Sequence, residues 1–144
     1  MVNYLRQWLS RGDDKRTKFI KYTEINGIFY FVTGLFIFFF PDVPSSLGLM
    51  PKVSLKEEGL LQLIGFSLSI IGYFYYFGAR THKKSFGLAT VFDRLILVPI
   101  FLGILLLKGN LDKEFFLPLL ILDPILALGA YYLWSKESSE KINS

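Results

Sequence analysis

Four apolar runs, nearly free of charged residues, alternate with short charged stretches along this chain. About 20 such residues cross the ~30 Å hydrocarbon core of a bilayer as an α-helix. The pattern therefore predicts an all-α membrane protein, an antiparallel four-transmembrane-helix bundle over residues 22–134. The predicted spans are residues 25–40, 59–79, 87–107 and 115–134. The first is short, so residues 22–24 are expected to extend it into the interface.

The composition supports the membrane as the solvent of this chain. Its 144 residues are 52% hydrophobic, with a mean hydropathy of +0.42, which is too apolar for an ordinary soluble domain of this size. The chain has no cysteine, which excludes a disulfide framework, a thiolate metal site and a thiol nucleophile. The single histidine, His82, lies in a basic hydrophilic run and is predicted to be a solvated loop residue.

The two ends of the chain are more polar than the spans. In residues 1–21, the apolar Met1, Leu5 and Trp8 share one helical face beside basic residues. This pattern predicts a short, basic, amphipathic interfacial helix that anchors the chain to the membrane surface. A docking arm for a partner or an acidic lipid is the alternative. Residues 135–144 form a polar tail that is expected to be disordered.

The distribution of basic residues predicts the orientation. Of the 16 Lys and Arg, six precede the first span, three lie between the second and third, and two follow the last, whereas each opposite loop holds two. Because cytoplasmic loops carry the excess of Lys and Arg, both termini are predicted to be cytoplasmic, in a multi-pass protein of the cell membrane. The net charge of +4 is explained by these span ends, so no nucleic acid is expected as a partner.

Asp93 and Arg94 stand side by side within the third span. An ionisable residue in a span costs about 2.5–3.5 kcal/mol on insertion scales, so it usually faces other helices and finds a partner. Adjacent residues of a helix point about 100° apart, so only one of the two faces the interior. We choose Arg94, with Asp123 or Glu24 as the predicted ion-pair partner. This pair either locks the helices together or lines a polar pocket or proton relay.

Further polar residues of the spans extend this candidate site. The hypothetical ligand-binding residues are Glu24, Asn26, Tyr30, Gln62, Tyr73, Tyr76, Asp93, Arg94 and Asp123. Most lie in the predicted cytoplasmic half, whereas Gln62 lies in the outer half. A pocket would therefore open toward the cytoplasmic leaflet, with apolar walls and with Arg94 and Asp123 as its orienting groups. In the alternative, these side chains bond to one another and leave no void.

Two further patterns concern helix packing. Gly65, Ser69 and Gly72 share one face of the second span with Gln62 and Tyr76, and small residues at this spacing let helices approach closely. In the third span, Pro99 removes a helical hydrogen bond, so a kink is expected there.

Several short motifs point to a known family. They are Phe-Phe-Pro at 39–41, Leu-Gly-Leu at 47–49, Gly-Leu-Leu-Gln-Leu-Ile-Gly at 59–65, Gly72-Tyr73, Ala79-Arg80, Arg94 with Pro99, and Asp123. With these motifs the chain resembles, over residues 25–134, the DoxX-like and BphX-like family of small four-helix bacterial membrane proteins. The resemblance implies an antiparallel four-helix bundle and, for the DoxX group, an accessory membrane subunit of a quinone-linked oxidoreductase. It brings no catalytic residues, and the chain lacks the histidines that ligate a haem, so no cofactor is expected.

The function is predicted in two forms. The sequence has no hydrolase motif, phosphate loop or His-Glu-x-x-His motif, so no catalytic residue and no metal ligand is assigned. The first prediction is a non-enzymatic accessory or interaction subunit of a membrane complex. The alternative is a binding module for an apolar ligand, a quinone or a lipid, or a proton-coupled carrier that uses the Arg/Asp pocket. The expected partners are the lipid bilayer and other membrane subunits, a second copy of the chain or an apolar ligand.

Overall fold

All regular structure that can be described in this chain is helical. The computed structural model describes residues 12, 15–48, 52, 54–108 and 113–142, with the side chains of 55–56, 113–120 and 140–142 left aside. Within these ranges there is no β-strand. Most of the predicted interfacial helix of residues 1–21 lies outside the described residues.

The described residues form five helices, which follow one another along the chain. They are α1 (Lys18–Phe39), α2 (Val43–Ser46), α3 (Leu55–Ala79), α4 (Lys84–Lys108) and α5 (Lys113–Ile142). Within the described residues, α1, α4 and the Glu57–Ala79 part of α3 are long and apolar enough to cross a membrane. This confirms that the described chain is all-helical and has three helices able to cross a membrane. The fourth span, which falls within α5, stays a prediction.

The helices extend beyond the predicted spans, since α1, α3, α4 and α5 begin at residues 18, 55, 84 and 113. α1 begins at Lys18 because the side chain of Thr17 caps it, accepting a hydrogen bond from the Ile20 N–H at 3.3 Å. Residues 22–24 are therefore part of a regular helix. α5 continues to Ile142, so the expected disorder of the polar tail is wrong for residues 135–142.

Backbone-to-backbone packing joins α1 to α3. Gly27 of α1 faces Gly72 of α3, and Gly34 faces Gly65, so the two helices run antiparallel. A Cβ atom on Gly72 would lie 2.7 Å from the carbonyl oxygen of Gly27, and one on Gly65 would lie 2.7 Å from that of Gly34. A methyl group cannot occupy either position without moving a backbone. The predicted small-residue face of α3 is thus confirmed as its contact with α1.

A π-helical turn at Asp93–Leu97 interrupts α4. The Val98 N–H donates to the carbonyl oxygen of Asp93, five residues back, instead of to residue 94. Pro99 has no N–H and cannot donate to the carbonyl of residue 95, so the helix widens just before it. The disturbance expected at Pro99 therefore takes the form of a π turn, and Arg94 lies within it.

A small apolar cluster lies where α1, α4 and α5 meet. It consists of Phe19 and Ile20 of α1, Val91 of α4 and Ala130 of α5, all buried. Next to this end of the molecule lies His82, which is buried and has a left-handed backbone (φ 58°). The prediction of a solvated loop histidine is therefore wrong.

Candidate functional site

Arg94 is the most deeply buried charged residue of the described chain, with 1% of its surface exposed. Its Nε donates to the carbonyl oxygen of Thr90 at 3.0 Å, and its Nη2 donates to the Thr90 hydroxyl at 3.4 Å. Its guanidinium carbon lies 5.4 Å from the ring centre of Tyr75, a cation–π contact. The choice of Arg94 over Asp93 as the interior residue is confirmed, because Asp93 is only half-buried.

Two tyrosine–aspartate hydrogen bonds lie beside Arg94 and join four helices. The Tyr30 hydroxyl of α1 donates to the Asp123 carboxylate of α5. The Tyr75 hydroxyl of α3 donates to the Asp93 carboxylate of α4 at 2.9 Å. The two tyrosine rings meet edge to face, with centres 5.8 Å apart. We call Tyr30, Tyr75, Asp93, Arg94 and Asp123 the polar cluster.

The predicted ion pair of Arg94 with Asp123 or Glu24 is wrong. Among the described residues, the ion pairs within 4 Å are Arg16–Glu24 and Lys84–Glu137, and neither includes Arg94. Glu24 is buried but faces the start of α1, where Arg16 binds it. Asp123 is occupied by a neutral donor, the hydroxyl of Tyr30. Arg94 is therefore held by its hydrogen bonds to Thr90 and by the ring of Tyr75, with no carboxylate within 4 Å among the described residues.

On α1 and α4, three buried side-chain polar atoms have no hydrogen-bond partner among the described residues. They are Arg94 Nη1, Asn26 Nδ2 and Glu24 Oε1. A buried polar atom without a partner costs about 1–3 kcal/mol, and more if it is charged. The guanidinium of Arg94 consequently retains one donor that can bind an acceptor oxygen if the cluster opens.

The nine predicted site residues do not form one site. Four of them, Tyr30, Asp93, Arg94 and Asp123, belong to the polar cluster, whereas Glu24 and Asn26 are buried elsewhere along α1. Gln62 is exposed, and Tyr73 and Tyr76 lie outside the polar cluster.

Two members of the site, Tyr75 and Thr90, are absent from the predicted set. A signal for each exists in the sequence. Thr90 precedes Arg94 by four residues, which places it on the same helical face. Tyr75 follows Gly72 by three residues and precedes Ala79 by four, and all three are buried.

An apolar groove lies on the other side of the α1–α3 contact. It has a volume of about 220 Å³. Its walls are Ile28, Phe31, Gly72, Tyr73, Tyr76 and Phe77. Because Gly72 has no side chain, the floor of the groove is backbone. We call this the apolar groove. It can bind a bulky apolar side chain or an acyl chain, but its walls provide no catalytic group.

Comparison of the chain with protein-family models, with curated proteins and with solved structures gives no match. The function is therefore inferred from the polar cluster and the apolar groove.

Proposed function

We propose that this chain is a non-catalytic subunit of a membrane complex, in which the polar cluster holds the helices together and the outer surface binds the partner. The observation that carries the proposal is that the buried polar side chains bond to one another instead of lining an accessible cavity. Tyr30 and Asp123 satisfy each other, and Arg94 is 1% exposed. Groups enclosed in this way cannot reach a substrate, and the hydrogen bond from Tyr30 to Asp123 joins α1 to α5.

In this proposal α5 is the fourth span of an antiparallel four-helix bundle, with both termini cytoplasmic. The contacts of α1 with the other helices support it. The Phe19 N–H at the start of α1 donates to Glu137 near the end of α5, and Tyr30, further along α1, donates to Asp123, 14 residues earlier in α5. The resemblance to the DoxX-like family stays a prediction, and it favours a quinone-linked complex as the partner.

The topology has a direct test, since the chain contains no cysteine. Single cysteines at Leu47, which is 66% exposed, and at the exposed Lys83 are expected to react with a membrane-impermeant maleimide from opposite sides of the membrane. Leu47 is preferable to Gly48, whose φ of 69° favours glycine. Labelling of both cysteines from the same side contradicts the proposed arrangement.

The apolar groove is the surface that we assign to the partner subunit. Filling it by Ile28→Trp is expected to release the partner when the chain is purified by affinity in a mild detergent. Ile100→Trp on α4 is the matched control, because the two isoleucines are 50% and 53% exposed and only Ile28 lines the groove. The measurement is the stoichiometry of co-purified subunits.

Three outcomes contradict the subunit proposal or the assignment of the groove. If the unaltered chain purifies alone with bound lipid or quinone, the subunit proposal is wrong. If both variants keep the partner, or both lose it, the partner binds elsewhere.

One observation favours the second candidate function, a binding module for an apolar ligand that carries an acceptor oxygen. Arg94 Nη1 has no partner among the described residues, although it is buried. The π turn that contains Arg94 is a second indication, because such turns are frequent at functional sites. A quinone carbonyl is an acceptor of this kind. The ligand could reach Arg94 only if α4 moved away from α3.

A further inference from the structure

A basic cavity lies at the end of the molecule where α1 and α4 begin and α5 approaches its end. Its volume is about 380 Å³, which is within the range of small-molecule sites. Its walls are Lys15, Arg16, Thr17, Lys18, Lys84, Leu133, Lys136 and Glu137. Five cationic side chains from three parts of the chain thus face one carboxylate. We call this the basic cavity.

The acids of this region neutralise only two of the five cations. Arg16 binds Glu24, and Lys84 Nζ lies 3.0 Å from Glu137 Oε2. Lys15, Lys18 and Lys136 have no acidic partner within 4 Å among the described residues. Converging like charges repel one another unless an anion lies between them. Among the described residues, the basic cavity therefore has an excess of positive charge, which a bound anion would offset.

The protein itself shows that an anion is stable against this end of α1. The carboxylate of Glu137 accepts a hydrogen bond from the Phe19 N–H at 2.8 Å, in the first turn of the helix. Burial opposes its ionisation, but hydrogen bonds from Phe19, Lys84 and Thr17 outweigh burial and lower the pKa of the Glu137 carboxyl below its ordinary value. A helix N-terminus favours negative charge in the same way.

The position of the basic cavity limits the kind of anion. Leu133 forms an apolar part of the wall, and the apolar, exposed surface of α1 starts at Ile25, two turns after Lys18. The cavity is thus at the boundary between charged and apolar surface, where lipid headgroups lie. Basic pockets between transmembrane helices at this level bind the phosphates of anionic lipids.

We propose that the basic cavity binds a phosphate group, held by Lys15, Lys18 and Lys136 beside the first turn of α1. The shared chemistry is that of a phosphate anion with one or more negative charges, carried by a lipid headgroup or by a soluble phosphate compound. Lysine binds such a group as a point charge, and three converging ammonium groups suit its several oxygens. This site does not depend on the proposed partner of the apolar groove.

The test compares two double variants of equal charge. Lys18→Gln with Lys136→Gln removes two cations of the cavity, whereas Lys21→Gln with Lys83→Gln removes two exposed cations at the same end that do not line it. Binding of phosphatidic acid to the purified full chain is measured by native mass spectrometry from a neutral detergent, with phosphatidylcholine as the reference lipid. We expect the cavity variant to bind about thirtyfold more weakly, and the control variant to bind as the unaltered chain does.

The source of the phosphate is distinguished by competition. If glycerol 3-phosphate or inorganic phosphate displaces the lipid, the cavity accepts soluble phosphates. If only phosphatidic acid binds, the acyl chains take part and the ligand is a lipid. Both outcomes support the phosphate site.

Two results overturn the proposal. One is equal loss of binding in the two double variants, which would show a diffuse effect of surface charge. The other is phosphatidic acid binding no better than phosphatidylcholine. Lys18→Arg with Lys136→Arg keeps both charges and is expected to retain binding. If the Arg variant binds, the weaker binding of the Gln variant is due to the lost charges and not to unfolding.

Discussion

Gly72→Ala is expected to destabilise the protein strongly, whereas Gly59→Ala in the same helix is expected to be neutral or stabilising. A Cβ on Gly72 would meet the backbone of α1 at Gly27 and Phe31, so the two helices must move apart to admit it. Overpacking of this kind costs about 1–3 kcal/mol, and more where only backbone can yield. Gly59 has open space around its Cβ position, and alanine there gains up to about 1 kcal/mol of helix propensity.

The measurement is the fraction of monodisperse protein that survives heating in detergent, followed by size-exclusion chromatography. Gly27→Ala serves as the reciprocal variant, because its Cβ would meet the backbone of Tyr76 and Gly72 from the other helix. Equal melting temperatures for Gly72→Ala and Gly59→Ala would show that α1 and α3 do not pack through their backbones.

Replacing Arg94 by methionine is expected to leave the stability unchanged or to raise it, whereas Tyr30→Phe is expected to lower it. Arg94 is charged and buried without a carboxylate within 4 Å among the described residues. An apolar residue of similar length relieves the cost of desolvation, and such replacements are often neutral or stabilising by about 1–4 kcal/mol. Tyr30→Phe instead removes the donor to Asp123 and leaves a buried acid without its partner, at a cost of about 1–3 kcal/mol.

Tyr132→Phe is the control for the loss of a hydroxyl, because Tyr132 is 65% exposed. The melting temperatures of the three variants in detergent are the measurement. A large loss of stability in Arg94→Met would mean that Arg94 has an anionic partner and would restore the interpretation of an ion-pair lock. If Arg94→Met is stable yet no longer binds a quinone that the unaltered chain binds, the second candidate function is the correct one.

The sequence predicts the helices and the burial of Arg94 because both depend on local patterns. Long runs that are nearly free of charged residues locate three helices able to span a membrane, and an arginine among apolar residues has to face inward. The glycine face of α3 is predictable for the same reason, since the spacing of Gly65 and Gly72 lies within one helix.

The partners of the buried charges depend on the relative rotation of different helices, which a single sequence does not record. Opposite charges favoured a pair between Arg94 and Asp123, but the nearest donor to Asp123 is the hydroxyl of Tyr30. Tyr73, Tyr75 and Tyr76 are equally good candidates by composition, yet a step of about 100° per residue turns only Tyr75 toward Asp93. The π turn has one more residue between Asp93 and Val98 than the corresponding turn of an α-helix. A pattern based on the regular α-helical period does not predict this extra residue.

The contacts of Arg94 also determine the stage of synthesis at which this side chain can be buried. Its hydrogen-bond acceptor Thr90 and its aromatic neighbour Tyr75 both precede it in the sequence. These two contacts of Arg94 are therefore available as soon as α4 leaves the ribosome, before α5 is made. Tyr30 differs, because its acceptor Asp123 is translated 93 residues later. The Tyr30 hydroxyl of α1 therefore lacks this acceptor until α5 is made, and the polar cluster is complete only after α5 has joined the other helices.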